Sequence, residues 1–172
     1  MTLVEVSELL KNNGISFEQT EHESQEAYFS HFSMYSYWGP HKNASHKVIV
    51  LTVKSPNGKK NIELQFNEVG NEFIFYNFYF GEFDYEMFNY NEEMLADDIL
   101  TNIRDIMQGD VTIIQRYGRW GSEARYDRDE YDYELKRALE RIQRPKGMIA
   151  RLFRSKSIYE IYDWNTYRSI TK

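Results

Sequence analysis

The chain reads as an α+β protein, a single domain with an antiparallel meander sheet and two main helices packed mostly on one face. Three observations predict it. The run 48–88 holds three segments rich in β-branched and aromatic residues, separated by the turn sequences SPNGKK and EVGN. Two later segments, opening at Asn89 and near Asp127, carry apolar residues at helical spacing. No Pro/Gly-rich linker, internal repeat or low-complexity tract divides the 172 residues, so 1–172 is read as one domain.

Within the meander, Ile62, Leu64 and Phe66 alternate with Asn61, Glu63, Gln65 and Asn67, the period of a strand with one dry and one wet face. The next segment is apolar at both parities: Phe73, Phe75 and Tyr79 on one side, Ile74, Tyr76, Phe78 and Phe80 on the other. Such a strand is expected to be central and covered twice. Beyond Gly81 the odd positions stay apolar while the even ones become Glu82, Asp84 and Glu86. The stretch outruns a typical strand, so a bulge, bend or tight turn is expected at Gly81.

The remaining elements follow in order. Thr2 and Glu5 have capping-box spacing, with Leu3, Val6 and Leu10 behind them and Asn12-Asn13-Gly14 as a stop, which predicts a short first helix. Ile15 and Phe17 suggest a strand start, and 18–26 is polar enough to read as a loop. The segment 28–38 fits a helix through Phe29, Phe32 and Tyr35 or a strand through Phe32, Met34 and Trp38; its aromatic and serine content and the following Gly39-Pro40 favour the strand. After the meander, Asn89 and Glu92 again have capping-box spacing, Leu95, Ile99, Ile103 and Ile106 form a stripe, and Gly109 is a natural stop. Strands are expected at Val111, Ile113 and Ile114 and, weakly, over 122–126. Tyr131, Leu135, Leu139 and Ile142 define the second main helix, with Asp132 and Lys136 paired and Pro145 ending it. The segment IYEIYDWNTY reads as one terminal strand.

The chain has no cysteine, which excludes disulfides, thiol nucleophiles and Cys-type zinc sites. Its start lacks a basic n-region and a long apolar h-region, and no stretch approaches ~18 apolar residues. A soluble cytoplasmic protein without membrane contact is expected. Net charge is −6 but unevenly spread: residues 1–110 hold 18 acids and 7 bases, residues 111–172 hold 9 acids and 14 bases.

No P-loop, dinucleotide fingerprint or G-x-S-x-G motif occurs, so no cofactor and no catalytic set is assigned. Glu134-Leu135-Lys136 copies a nuclease triplet but falls in a helix pattern. His22, His31, His41 and His46 have no zinc-protease spacing and read as ordinary surface or half-buried histidines. Glu82, Asp84 and Glu86 would form a row of oxygen ligands along a strand, which suggests a metal-dependent hydrolase; with no second ligand set, a solvated sheet edge explains them better, and no metal is assigned. Arg116, Arg119, Arg125 and Arg128 interleave with Tyr117, Trp120 and Tyr126, a combination that can track phosphates and stack bases. That makes a nucleic-acid-binding accessory protein one alternative, opposed by the acidic half, which repels polyanions. Neutralising the acidic half, of this molecule or of a second copy in a homodimer, is the plainer role for those arginines.

The leading reading rests on the acids. Glu82, Asp84, Glu86, Glu92, Glu93, Asp97, Asp98, Asp105 and Asp110 stand against the single Arg104, around the aromatics Tyr76, Phe78, Phe80, Tyr85 and Tyr90. Aromatic anchors within negative charge suit a surface that covers a basic site on another protein. With Tyr76, Phe78, Phe80, Glu82, Asp84, Tyr85, Glu86, Glu93, Asp97 and Asp98 as its contacts, the chain is expected to be a non-catalytic protein-binding module. The size, the lack of cysteine, the meander LQF…FYFGEFDYEMF, the helix LADDILTNIRDIMQG and the segment YEIYDWNTY together resemble small acidic α+β immunity proteins of bacterial toxin systems. That resemblance implies an inhibitor that occludes a toxin's active site, and it transfers no individual residue.

Overall fold

The computed structural model describes residues 1–23, 47–85, 92–117, 122–143 and 157–171. Its fold is α+β with antiparallel sheets. The strands fall into two sheets, one of five and one of four, and the chain gathers into two compact units: 1–54 with 61–101, and 55–60 with 102–172.

The first unit begins with α1 (Leu3–Asn12), whose predicted capping box is present: Thr2 N–H donates to Glu5 Oε2 at 2.7 Å, and Glu5 N–H donates to Thr2 Oγ1 at 3.3 Å. Its sheet runs β1 (Glu18–Glu23), β2 (Lys47–Val53), β3 (Ile62–Val69), β4 (Glu72–Phe80), β5 (Phe83–Tyr85), each paired with the next in the meander that the turns predicted. Gly70-Asn71 and Gly81-Glu82 close two-residue hairpins, and their glycines take φ of 66° and 62°, a conformation other residues adopt at a cost. Gly81 is therefore a tight turn, one of the outcomes its position allowed.

β1 replaces the expected loop over 18–23. An edge strand needs only its backbone paired, and charged side chains along it discourage further pairing. Here Lys47 meets Glu21 at 2.7 Å and Lys54 meets Glu18 at 3.2 Å, both exposed. The ambiguous segment 28–38 and the loop after it lie outside the described residues.

The apolar doubling of β4 also has a cause the alternation alone did not show. Phe78 lies opposite Leu64, yet Phe75 lies opposite Phe66, so Tyr76 is an extra residue where the register shifts. A bulge of this kind reverses parity. Phe73, Phe75, Phe78 and Phe80 thus share one face with Ile62, Leu64 and Phe66, and the Phe66 and Phe75 rings meet edge to face with centroids 5.7 Å apart. Asn77 and Tyr79 occupy the other face with Gln65 and Glu63. Both faces are covered where it matters, since every residue of β2 after Lys47 is buried.

α2 (Glu92–Gln108) carries the predicted stripe, with Leu95, Ile99, Ile103 and Ile106 buried and Gly109 ending it at φ 79°. Asn89, its expected cap, lies outside the described residues.

The second unit holds β6 (Val111–Tyr117), β7 (Ser122–Asp127), α3 (Arg128–Gln143), β8 (Ile158–Tyr162) and β9 (Tyr167–Thr171), with sheet order β7-β6-β8-β9. α3 covers one face: Leu135, Ala138, Leu139 and Ile142 pack with Ile114, Tyr126, Tyr159, Ile161 and Ile170. The predicted Asp132 to Lys136 pair is formed at 2.5 Å. The terminal segment is a hairpin rather than one strand, because Asp163 breaks it. Its Oδ1 accepts from the backbone N–H of Asn165 and Thr166 at 2.8 and 2.7 Å, the self-bonding that makes Asp a turn former. No helix among the described residues is long and apolar enough to cross a membrane.

Candidate functional site

The residues expected to meet a partner do not form one patch. Tyr76 is 50% exposed, but Phe78 and Phe80 are fully buried and Tyr85 is 5% exposed, so these three are core and cannot serve as surface anchors. The bulge is the reason: it puts Tyr76 out of phase with the phenylalanines that the sequence lists beside it. Tyr85 packs edge to face on Phe78 and Phe83, with centroids at 4.9 and 5.1 Å.

The acids separate as well. Glu82 sits in the hairpin turn, whereas Asp84 is in β5 opposite Tyr79 and accepts from Asn77 Nδ2 at 2.9 Å, so no straight row of ligands runs through them. Among the described residues no group of three His, Asp or Glu side chains is placed to hold a metal. Asp97 is exposed on α2 and Asp98 half-buried; Glu93 lies in the helix with its side chain outside the described part, as are Glu86 and Tyr90 altogether.

The arginine set is divided too. Arg116 pairs in register with Ser122 and Arg125 with Ile113, which places the two arginines on opposite faces of the sheet. Arg116 donates to Ser157 Oγ at 3.3 Å and lies 5.8 Å from the Tyr159 ring centroid. Arg125 binds Asp127 through Nε and Nη2 at 2.8 and 2.7 Å and reaches Asn102 Oδ1 at 3.1 Å, while Arg128 lies 3.6 Å from Asp110. Arg119 and Trp120 are outside the described residues.

What the fold does collect is charge. The first unit contains 16 acids and 4 bases, net −12; the second contains 11 acids and 17 bases, net +6. No lysine or arginine occurs from 61 to 103. The boundary between units sharpens the polarity that the sequence already displayed, because loop 55–60 carries Lys59 and Lys60 into the basic unit.

The best-organised polar cluster was missed by sequence reasoning. Glu160 stands mid-strand in β8, opposite Gln115 on β6 and Ser169 on β9. The diagonal neighbours on that face reach it: Tyr117 O–H donates to Oε2 at 3.0 Å and Tyr167 O–H to Oε1 at 2.7 Å. Lys60 Nζ closes the ion pair at 2.6 Å from Oε2, 5.3 Å from the Tyr162 ring centroid and 6.0 Å from that of Tyr167. Asn57 shapes the loop that delivers this lysine. Its Oδ1 accepts from Ser55 Oγ and the backbone of Lys59 and Lys60, and its Nδ2 donates to the Asp163 carbonyl at 2.7 Å.

Burial alone would raise the Glu160 pKa, but the hydrogen bonds from Lys60 and Tyr167, the lysine's charge and the Tyr117 hydroxyl outweigh it and hold the carboxyl below its usual range. An ionised group with both oxygens already accepting anchors a loop; it is poorly placed to take a proton from a substrate. The legible signal was a glutamate in the middle of an aromatic strand. Its lysine partner, 100 positions away in a turn, carried none.

No family model matches the chain, and neither a curated protein nor a solved structure resembles it to a significant degree.

Proposed function

We propose that the protein is a non-catalytic binding module whose acidic first unit docks on a basic surface of another protein, in the manner of an immunity-type inhibitor covering a toxin's active site. The supporting observation is the net charge of −12 on one unit, with 16 acids against 4 bases. A field of one sign on one unit steers an oppositely charged partner and speeds its arrival. The best-formed side-chain cluster, around Glu160, is taken up with internal bonds and offers no competing catalytic reading.

The nucleic-acid alternative has the base excess of the second unit in its favour, but Arg116 and Arg125 on opposite faces give no continuous track for a strand. The direct trial is co-expression with the product of the neighbouring reading frame. A complex whose association rate falls steeply with added salt is expected. Failure to form a complex with any basic partner, or association indifferent to salt, contradicts the proposal.

A further inference from the structure

We propose that Tyr76 is the aromatic anchor of this interface and that its occupant is a polypeptide segment bearing lysine or arginine together with aliphatic side chains. The inference rests on the binding-module reading and adds the place of contact. Tyr76 is the inserted residue of the β4 bulge, and bulges re-aim a side chain while the ladder continues on either side. On either side of it the ladder is filled: Phe75 opposes Phe66 and Phe78 opposes Leu64. The inserted residue is nevertheless a tyrosine, 50% exposed.

Two further apolar side chains are exposed on elements joined to β4. Val69, 61% exposed, pairs with Glu72 at the β3–β4 turn. Val4, 64% exposed, lies in the first turn of α1, and the residues before that turn run along β4: Thr2 bridges Ile74, and Phe75 N–H donates to the Met1 carbonyl at 2.9 Å. Glu5, Glu8 and Glu72 are exposed on the same two segments.

Charge selects the occupant. A guanidinium or ammonium group gains from a tyrosine face and from the acidic excess of the unit that carries it, while an aliphatic stem and apolar neighbours suit exposed valines. A nucleic acid or an anionic membrane surface meets repulsion at the same place. A second copy of this chain would have to offer its basic unit, which the test below separates.

Two short synthetic peptides of equal positive charge, one of lysine and serine and one of lysine and leucine, are titrated into the 15N-labelled full chain near physiological ionic strength. The leucine-bearing peptide is expected to bind roughly tenfold more tightly, with amide shifts centred on Tyr76. Tyr76→Ser should abolish that advantage, Tyr76→Phe should retain most of it, and Tyr133→Ser, at an exposed tyrosine of the other unit, should leave it intact. Equal binding of the two peptides, or an advantage that survives Tyr76→Ser in a cooperatively folded variant, overturns the anchor while leaving the basic-partner reading in place. Failure of both peptides to bind overturns both. Concentration-dependent dimerisation that Tyr76→Ser abolishes overturns the foreign occupant in favour of a second copy.

Discussion

Glu160 satisfies three donors with two oxygens, and the Lys60 ammonium that completes the set has a side chain only 10% exposed. Removing one partner of such a pair strands the other charge. Lys60→Met is therefore expected to cost about 3–5 kcal/mol, and adding Glu160→Gln should recover part of that loss, as urea unfolding of the single and double variants would show. The same cluster sets an acid limb. A carboxyl whose folded pKa is depressed contributes stability that is fully present above the unfolded value of about 4.3 and is lost as pH falls through the lower folded value. Urea midpoints taken from neutral pH down to about pH 3 should fall more steeply for the natural chain than for Glu160→Gln. Parallel curves would remove Glu160 from the acid response. From the sequence, only the oddity of a charge in an aromatic strand was visible here, because partner choice between a turn and a distant strand depends on tertiary placement.

The element scale is where periodicity succeeded and where it misled. Capping at Thr2, the α2 stripe and the meander turns were legible because each is set by residues close in sequence. β1 was not, since an edge strand can be wholly polar, and β4 misled because one inserted residue reverses parity without leaving a compositional mark. The bulge makes a sharp expectation. Deleting Tyr76 restores an unbroken alternation from Phe73 to Phe80, so the deletion variant should fold cooperatively with a loss small beside the ~3–5 kcal/mol expected for Phe78→Ala. Thermal and urea unfolding decide it. Deletion of Tyr79, beyond the bulge, is no such repair and should be far more damaging, because it removes Glu63's partner and throws Phe80 out of phase with Phe78.

At the scale of the whole molecule, the uneven charge was readable from composition, and the fold gave it a boundary: −12 on one unit and +6 on the other. The site itself was less legible, because the aromatics between the acids proved to be core. Only Tyr76 among those described stands well exposed, and side-chain exposure across a bulge cannot be read from alternation. The measurement that bears most directly on the acidic unit as the binding surface compares three chains for affinity towards the lysine-leucine peptide: the natural one, one with Glu8, Glu72 and Asp97 changed to Lys, and one with Arg137, Arg141 and Arg168 changed to Glu. The first variant should lose roughly tenfold or more in affinity, and the second should equal or exceed the natural chain. A loss confined to the second variant, or the same loss in both, would contradict the account.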